Sequence, residues 1–257
     1  MKIASFIIAG VCAVALGWYF LNNSSNSTTA QKAQDTIIVG TNAEFAPFTF
    51  YKDGAITGFD IEVIKAIARK LNKTVIIKDF PFEALIPEIQ TGHIQVIVAG
   101  MNPTPERAKQ VHFTQPIFEG DPLVIISPKD APIQTIKELE GKTVLVNEGY
   151  FADMYISKEV PGATIVRLGG NSVAEGLLAL NARRGNVFIA TESTIVPNLT
   201  AEQKKLLHIV PLPEAKENDA IAVSHKYPEL FAQIEEKLAE LKAEGFIDQL
   251  VIKWFKQ

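Results

Sequence analysis

The chain has 257 residues, 47% of them apolar and 21% charged, which is the composition of an ordinary globular protein rather than a disordered one. Its 25 Lys and Arg residues against 29 Asp and Glu residues give a formal net charge of −4, so we expect no nucleic-acid partner. Cys12 is the only cysteine, and the four histidines are scattered along the chain, so we expect no disulfide, no metal site and no cofactor.

Residues 1–35 read as a leader followed by a spacer. An uncharged apolar run at 3–21 follows Lys2, and a polar Ser/Thr/Asn-rich stretch comes after it. This order is typical of a secretory signal peptide, yet the run is also long enough to span a bilayer. Two alternatives therefore remain, a cleaved signal or a retained membrane anchor at 3–21. Both place the rest of the protein in the periplasm or another extracytoplasmic space.

Short β-branched runs then alternate with segments of helical periodicity. This alternation predicts an α/β protein in which helices cover buried sheets. The predicted strands are 36–40, 74–78, 94–98, 122–127, 143–147, 163–167, 187–191 and 219–224. The predicted helices are 61–71, 82–90, 172–184 and 228–244.

Two polar stretches, at 128–133 and 211–218, look like places where the chain crosses between domains. Two crossings would make the first lobe discontinuous, with residues 36–125 and 220–257, and would leave 126–219 as the second lobe. A cleft between two lobes is a common place for a small ligand. A single doubly wound domain is the alternative organisation.

The segment around Arg107 has the features of an anion site. The strand ending at Val98 leads through the small residue Gly100 to Thr104, a good N-cap, and Pro105, which fits the first helical position. A helix that begins there directs free N–H groups at a ligand, and the arginine adds a two-pronged donor for a carboxylate. The alternative is a solvated surface arginine on an ordinary capped helix.

Phenylalanines are unusually dense in the loop that follows the first strand, at Phe45, Phe48 and Phe50. Such residues usually fill a core. At least one of them could instead be a platform for a ligand side chain, with Phe82 opposite. Phe45 and Phe82 together could hold a flat or cationic group between their faces.

In the second half of the chain, Gly149 follows a strand and precedes a helix whose N-terminus would face the same cleft. Glu192 comes just past another strand and could pair with an ammonium group, or could simply be an acidic residue at a helix start. Motifs of the types GxGxxG, GxSxG, HExxH and CxxC are absent from the sequence. The sequence therefore favours a binding protein over an enzyme.

Three blocks carry a family resemblance: GTNAEFAPFTF at 40–50, GAITGFDIEVIKAIARKL at 54–71, and the segment at 80–116 that contains AGMNPTPERAKQVHFTQP. In this order they resemble the extracellular solute-binding proteins of polar amino acid ABC transporters, and most of all the arginine-binding members. The resemblance covers about 36–255. It implies a two-lobed type II periplasmic-binding-protein fold, a monomer that closes on one free amino acid and delivers it to an ABC permease in the inner membrane.

The resemblance also implies roles for individual residues. Arg107 would clasp the ligand α-carboxylate, Glu192 would pair with the α-ammonium, and Phe45 and Phe82 would stack on the side chain. Asn42 would lie near the side-chain end. The implied ligand-binding set is Asn42, Phe45, Phe82, Gly100, Met101, Asn102, Arg107, Tyr150, Phe151 and Glu192.

This sequence departs from the family pattern in two places. Gly149, Tyr150 and Phe151 replace the usual Gly-Thr-Thr-like turn, so the hydroxyl that commonly helps to hold the carboxylate is displaced or lost. Glu192 stands where the family usually has an aspartate, and its side chain is one methylene longer.

The predicted ligand is a basic amino acid, arginine first, because two aromatic faces can hold a guanidinium. Glutamine is the alternative, since Asn42 alone could satisfy a neutral amide. A guanidinium would also need an acidic or carbonyl partner, which the sequence does not place. A dehydratase relative and a membrane-tethered sensor domain are the remaining alternatives for function.

Overall fold

The computed structural model describes residues 35–169 and 173–255. The expectations for the leader at 1–34 lie outside these residues. Within them, no helix combines the length and the apolar character needed to cross a membrane.

The described residues form eleven strands and nine α-helices. The strands are β1 (Thr36–Thr41), β2 (Glu44–Phe45), β3 (Thr49–Lys52), β4 (Ala55–Thr57), β5 (Thr74–Asp79), β6 (Val96–Ile97), β7 (Val111–Pro128), β8 (Thr143–Asn147), β9 (Thr164–Leu168), β10 (Val187–Thr191) and β11 (Leu207–Ser224). The helices are α1 (Phe59–Lys70), α2 (Leu85–Thr91), α3 (Pro105–Ala108), α4 (Phe151–Glu159), α5 (Val173–Asn181), α6 (Glu192–Ile195), α7 (Ala201–Leu206), α8 (Pro228–Ala243) and α9 (Phe246–Phe255). Short 3-10 turns occur at Phe82–Ala84, Ile136–Leu139 and Val196–Asn198.

Eight strands form one mixed sheet in the order β5-β1-β6-β11-β7-β10-β8-β9, and β2-β3-β4 form a small separate sheet. Parallel pairs lie at both ends of the large sheet, where helices connect consecutive strands. In the middle, β11 runs antiparallel to β6 and β7, and β10 runs antiparallel to β7. The α/β class predicted from the sequence is confirmed, with a mixed rather than all-parallel sheet.

The two central strands are much longer than the sequence suggested. β7 and β11 have 18 residues each and pair antiparallel along their whole length. The predicted strands 122–127 and 219–224 are only one end of each. The polar stretch at 211–218 was expected to be a connection, but it lies inside β11. Register shifts in this stretch let it accommodate a proline and several charges while still pairing with β7.

The buried apolar residues fall into two groups that meet along this β7–β11 ribbon. Residues between 37 and 118, together with those between 221 and 250, fill one set of cores. Residues between 123 and 215 fill the other. We propose that these groups are two lobes and that the chain crosses between them on β7 between 118 and 123, slightly before the boundary at 125 expected from the sequence, and returns near 220. Separate cores joined by two strands support that division, because each lobe can then move as a unit.

Candidate functional site

Arg107 is positioned by a very short helix. The Thr104 hydroxyl accepts a hydrogen bond from the Arg107 backbone N–H at 3.1 Å, and Pro105 is the first helical residue, as the sequence predicted. The helix α3 ends after four residues, so its dipole is small. The side chain, more than the helix, therefore determines how this segment can bind an anion.

The Arg107 guanidinium joins the two lobes. Its Nη1 donates to the backbone oxygen of Asn102 at 3.0 Å and also to the Asn102 side-chain oxygen, which fixes its orientation. Its Nη2 donates to the backbone oxygen of Gly149 at 2.7 Å, across the cleft. Burial lowers the pKa of Arg107, while the negative charges of Glu217 and Asp219 favour its cationic form. An arginine keeps its charge under such conditions, so the cleft contains a fixed cation.

Tyr150 lies between the two phenylalanines predicted to hold the ligand. Its ring stacks on Phe82 with centroids 4.2 Å apart and planes 26° apart, and its centroid is 5.2 Å from that of Phe45. Its hydroxyl donates to the Asn42 side-chain oxygen at 3.0 Å. Tyr150 belongs to lobe 2, and the three residues it contacts belong to lobe 1. The structure thus brings Asn42, Phe45 and Phe82 together, around a side chain of the protein itself.

Gly100 lets the Phe45 ring approach the backbone. Its φ is +56°, and a Cβ atom at this position would overlap the Phe45 ring, so both conformation and space favour glycine. Its N–H donates to the Asp60 carboxylate at 2.7 Å. In this conformation that N–H is therefore engaged within lobe 1, although Gly100 belongs to the implied ligand-binding set.

Three further predicted site residues have different placements. Met101 is buried in a core of lobe 1, and its backbone oxygen accepts from Ala220. Asn102 is buried and holds Arg107 through its two oxygens. Phe151 opens α4, packs on a core of lobe 2 and lines a small cavity beside Tyr150.

That cavity lies between Phe45 of lobe 1 and residues of lobe 2. Its volume is about 20 Å³, which is room for about one water molecule. Its lining includes Phe45, Asn147, Tyr150, Phe151, Thr191 and Glu217. An amino acid does not fit in this volume while Tyr150 is in place.

One buried carboxyl group, Glu217, lines the cavity, and a second, Asp219, lies two residues further along β11. Glu217 and Asp219 are almost fully buried on β11, and burial raises the pKa of each well above its ordinary value. Among the described residues, neither Asp219 oxygen has a hydrogen-bond partner. Burial also raises the pKa of Asp60 to about 7 and that of Asp121 to about 6. The only sequence signal near this cluster is the polarity of the 211–218 stretch, which predicts a crossing between domains.

Glu192 opens α6 and is half-buried. It does not line the cavity, whereas its neighbour Thr191 does. Glu192 acts on Asp121, whose pKa its charge helps to raise, and the backbone and hydroxyl of Ser193 donate to that aspartate. The ammonium-binding role of Glu192 stays a prediction.

The matching family model identifies the class of protein. Residues 37–257 match the bacterial extracellular solute-binding proteins, family 3, so the chain belongs to this family. The match leaves out only residues 1–36.

Two relatives match most of this chain at similar sequence identity. The arginine-binding extracellular protein ArtP of Bacillus subtilis is 27% identical over 231 residues, which are 90% of each chain. The glutamine-binding protein GlnH of the same organism is 28% identical over 241 residues, 91% of this chain and 86% of that protein.

Solved structures resemble the whole described fold. An ancestral arginine-binding protein bound to arginine is 32% identical with a TM-score of 0.79, over 86% of this chain and 98% of that one. The ancestral amino acid-binding protein AncCDT-1, described as a precursor of cyclohexadienyl dehydratase, is 28% identical with a TM-score of 0.77, over 87% of this chain and 96% of that one. These neighbours confirm the type II periplasmic-binding-protein fold.

Proposed function

We propose that the protein binds a free basic amino acid, arginine first, and delivers it to an ABC importer as a monomer outside the cytoplasm. The observation that carries this proposal is the charge pattern of the cleft. One cation, Arg107, lies near enough to the buried carboxyl groups Glu217 and Asp219 on β11 for their charges to act on it, and Glu217 lines the cavity.

Arg107 is suited to the α-carboxylate. Asn102 fixes its Nη1, and its Nη2 already holds a carbonyl oxygen, that of Gly149. A carboxylate oxygen at the same place would accept a charge-assisted hydrogen bond, which is roughly twice as strong as a bond between neutral groups. Opening of the cleft would release the Gly149 oxygen and make room for the ligand.

Glu217 and Asp219 supply the acidic partner that the sequence left unplaced. Burial makes both carboxyl groups harder to ionise, Arg107 partly offsets this, and a further cation placed beside them would favour their ionised form. A basic amino acid brings two cationic groups and one carboxylate, which complements one arginine and two acids. A guanidinium buried here would therefore have an acidic partner.

Glutamine remains the alternative ligand, because Asn42 could meet its amide and because the similar protein GlnH is named for it. Competition binding with arginine, lysine, ornithine, glutamine and histidine distinguishes the two. We expect the three long basic amino acids to compete best, with arginine first. Stronger competition by glutamine than by arginine would overturn the ligand assignment while leaving an amino acid-binding protein.

A dehydratase reaction is a second candidate, favoured by one observation. Glu217 lines the cavity, and burial raises its pKa well above the ordinary value, which favours the protonated form that a general acid needs. The similarity to a dehydratase precursor points the same way. Incubation of the protein with each amino acid that it binds, followed by mass analysis, tests this candidate. Full recovery of the unchanged amino acid contradicts it.

Delivery to an importer requires the lobes to close around the ligand, since the permease must distinguish loaded from empty protein. The thin β7–β11 connection supports such a hinge motion. Small-angle scattering at saturating arginine, with the arginine-free protein as reference, would show which conformations the two states adopt.

A further inference from the structure

We propose that Tyr150 is an internal competitor for the ligand side-chain pocket, and that the residue at this position sets the affinity and selectivity of the site. This inference rests on the proposed amino acid-binding function. It differs from the role implied by the family resemblance, in which Tyr150 would contact the ligand.

The first support is that Tyr150 fills every side-chain contact predicted for the ligand in lobe 1. Its ring takes the place between Phe45 and Phe82, and its hydroxyl takes Asn42. An arginine side chain in the same place would present a flat guanidinium to the same two rings and N–H donors to the same amide oxygen. The phenol and the guanidinium therefore compete for one set of partners.

The second support is that the backbone of the same turn occupies Arg107. The Gly149 oxygen accepts from the guanidinium at 2.7 Å, where a ligand carboxylate would bind. The Gly149–Tyr150 turn thus meets both the carboxylate site and the side-chain site at once. A ligand has to displace both contacts before it can make its own.

The third support is volume. With the ring in place, the cavity has room for about one water molecule. Even the smallest amino acid is several times larger, so a bound amino acid and this position of Tyr150 exclude each other. The lobes are nonetheless held together, because Tyr150 packs on the cores of lobe 1 from a turn of lobe 2.

A competitor of this kind reduces apparent affinity by the fraction of protein that it leaves open. It also selects among ligands. A ligand side chain too short to reach Phe82 and Asn42 makes no contacts that replace those lost when the Tyr150 ring is displaced. Long flat or cationic side chains replace the lost contacts, and small neutral ones do not. Tyr150 therefore sharpens the preference for basic amino acids.

The deciding substitution is Tyr150→Ala. If the tyrosine competes, calorimetry should show arginine binding about tenfold more tightly to the variant, and alanine or serine gaining more than arginine. Tyr150→Phe keeps the stacked ring and loses the bond to Asn42, so it should change affinity in the same direction by less. Tyr155→Ala, on the helix α4 that follows Tyr150 but outside the cleft, is the matched control and should leave affinity unchanged. Weaker arginine binding by Tyr150→Ala would overturn the proposal, because it would make the ring a ligand contact.

A measurement without ligand separates this proposal from the proposed function. The only natural cysteine is Cys12, so with Cys12→Ser single labels can be placed at Lys65→Cys on α1 and Lys158→Cys on α4. Both positions are exposed. We expect a narrow distance distribution in the ligand-free protein and a broader, shifted one after Tyr150→Ala. Identical distributions would overturn the competitor role. If no amino acid binds any variant but the distributions differ, the internal contact stands and the proposed function fails.

Discussion

The two faces of the cleft are built differently. The lobe 1 face consists of side chains fixed by the fold, since Phe45 packs against Gly100 and Phe82 is buried near the start of α2. The lobe 2 face is a turn, Gly149–Tyr150, which enters the pocket and departs from the family pattern. Residues anchored in the core of one lobe can be recognised from sequence motifs. The position of a turn that enters the other lobe cannot, because it depends on how the lobes pack together.

The largest expected effect tests the fixed face. Arg107→Ala removes a charge-assisted contact with the α-carboxylate and should weaken arginine binding by about 2–5 kcal/mol. The fold should persist, because Thr104 still caps α3. Calorimetry measures the affinity, and Arg69→Ala, exposed on α1, serves as the matched control. Unchanged affinity in Arg107→Ala would remove the carboxylate site from this face.

The next effect concerns the stability of the ligand-free protein against pH. Asp60 and Asp121 have folded pKa values of about 7 and about 6, above the 3.8 of an unperturbed aspartate. Carboxyl groups of this kind stabilise the fold fully below the unfolded pKa and lose that contribution as pH rises through the folded pKa. At about 1.4 kcal/mol per pKa unit the two groups set an upper bound of about 7 kcal/mol. We expect stability to fall by several kcal/mol between pH 4 and pH 8, seen as a falling melting temperature.

Asp60→Asn is the variant for that experiment, since its amide oxygen can still accept from the Gly100 N–H. It should flatten the pH dependence, most clearly between pH 4 and pH 7. Asp130→Asn, at an exposed aspartate, should leave the wild-type profile in place. A melting temperature that rises steadily from pH 4 to pH 8 would contradict the assigned pKa shifts.

A smaller effect distinguishes the ligands at the acidic side of the cleft. Glu217→Gln keeps the shape of the side chain and removes its charge, so arginine should bind about tenfold more weakly, or about 1.4 kcal/mol. Glutamine binding should change little. Glu214→Gln, exposed on the same strand, is the control. An equal loss for arginine and glutamine would mean that Glu217 does not read the charge of the ligand.

The smallest effect lies at the rim. Asn198 in lobe 2 donates to the backbone oxygen of Ala46 in lobe 1 at 3.2 Å, in an exposed position. Asn198→Ala should alter arginine affinity by no more than about 0.5–1 kcal/mol. Asn181→Ala, also exposed in lobe 2, should have no effect in the same titration. A loss as large as that of Arg107→Ala would place a main ligand contact at the rim.

Much of the fold was predictable because local patterns agree with it. The β-branched runs at 143–147 and 187–191 are strands β8 and β10 over the same residues, and the stripe at 61–71 lies on α1. The Thr104 cap was readable because capping depends on neighbouring residues only. The length of β11 could not be predicted in the same way. Its polar segment has the local composition of a loop, and it is a strand because it pairs with β7.

The site was predictable on one side only. Arg107, Phe45 and Phe82 could be identified because they lie in motif-bearing segments of lobe 1. The position of Tyr150 could not be predicted, because it results from contacts with residues far away in the sequence. Asn42 lies about 110 positions before Tyr150, and Phe82 lies about 70 positions before it. Glu217 and Asp219 were missed for a similar reason. Their burial depends on the packing of both lobes against one ribbon.

The most direct test of the account compares arginine with agmatine, which is arginine without its α-carboxylate. Calorimetric titrations of the wild-type protein and of Arg107→Ala with both compounds measure what the carboxylate contributes. The account predicts tight arginine binding, agmatine binding weaker by 2 kcal/mol or more, and a much smaller difference in Arg107→Ala. Equal binding of arginine and agmatine by the wild-type protein would contradict the assignment of Arg107 as the carboxylate clasp.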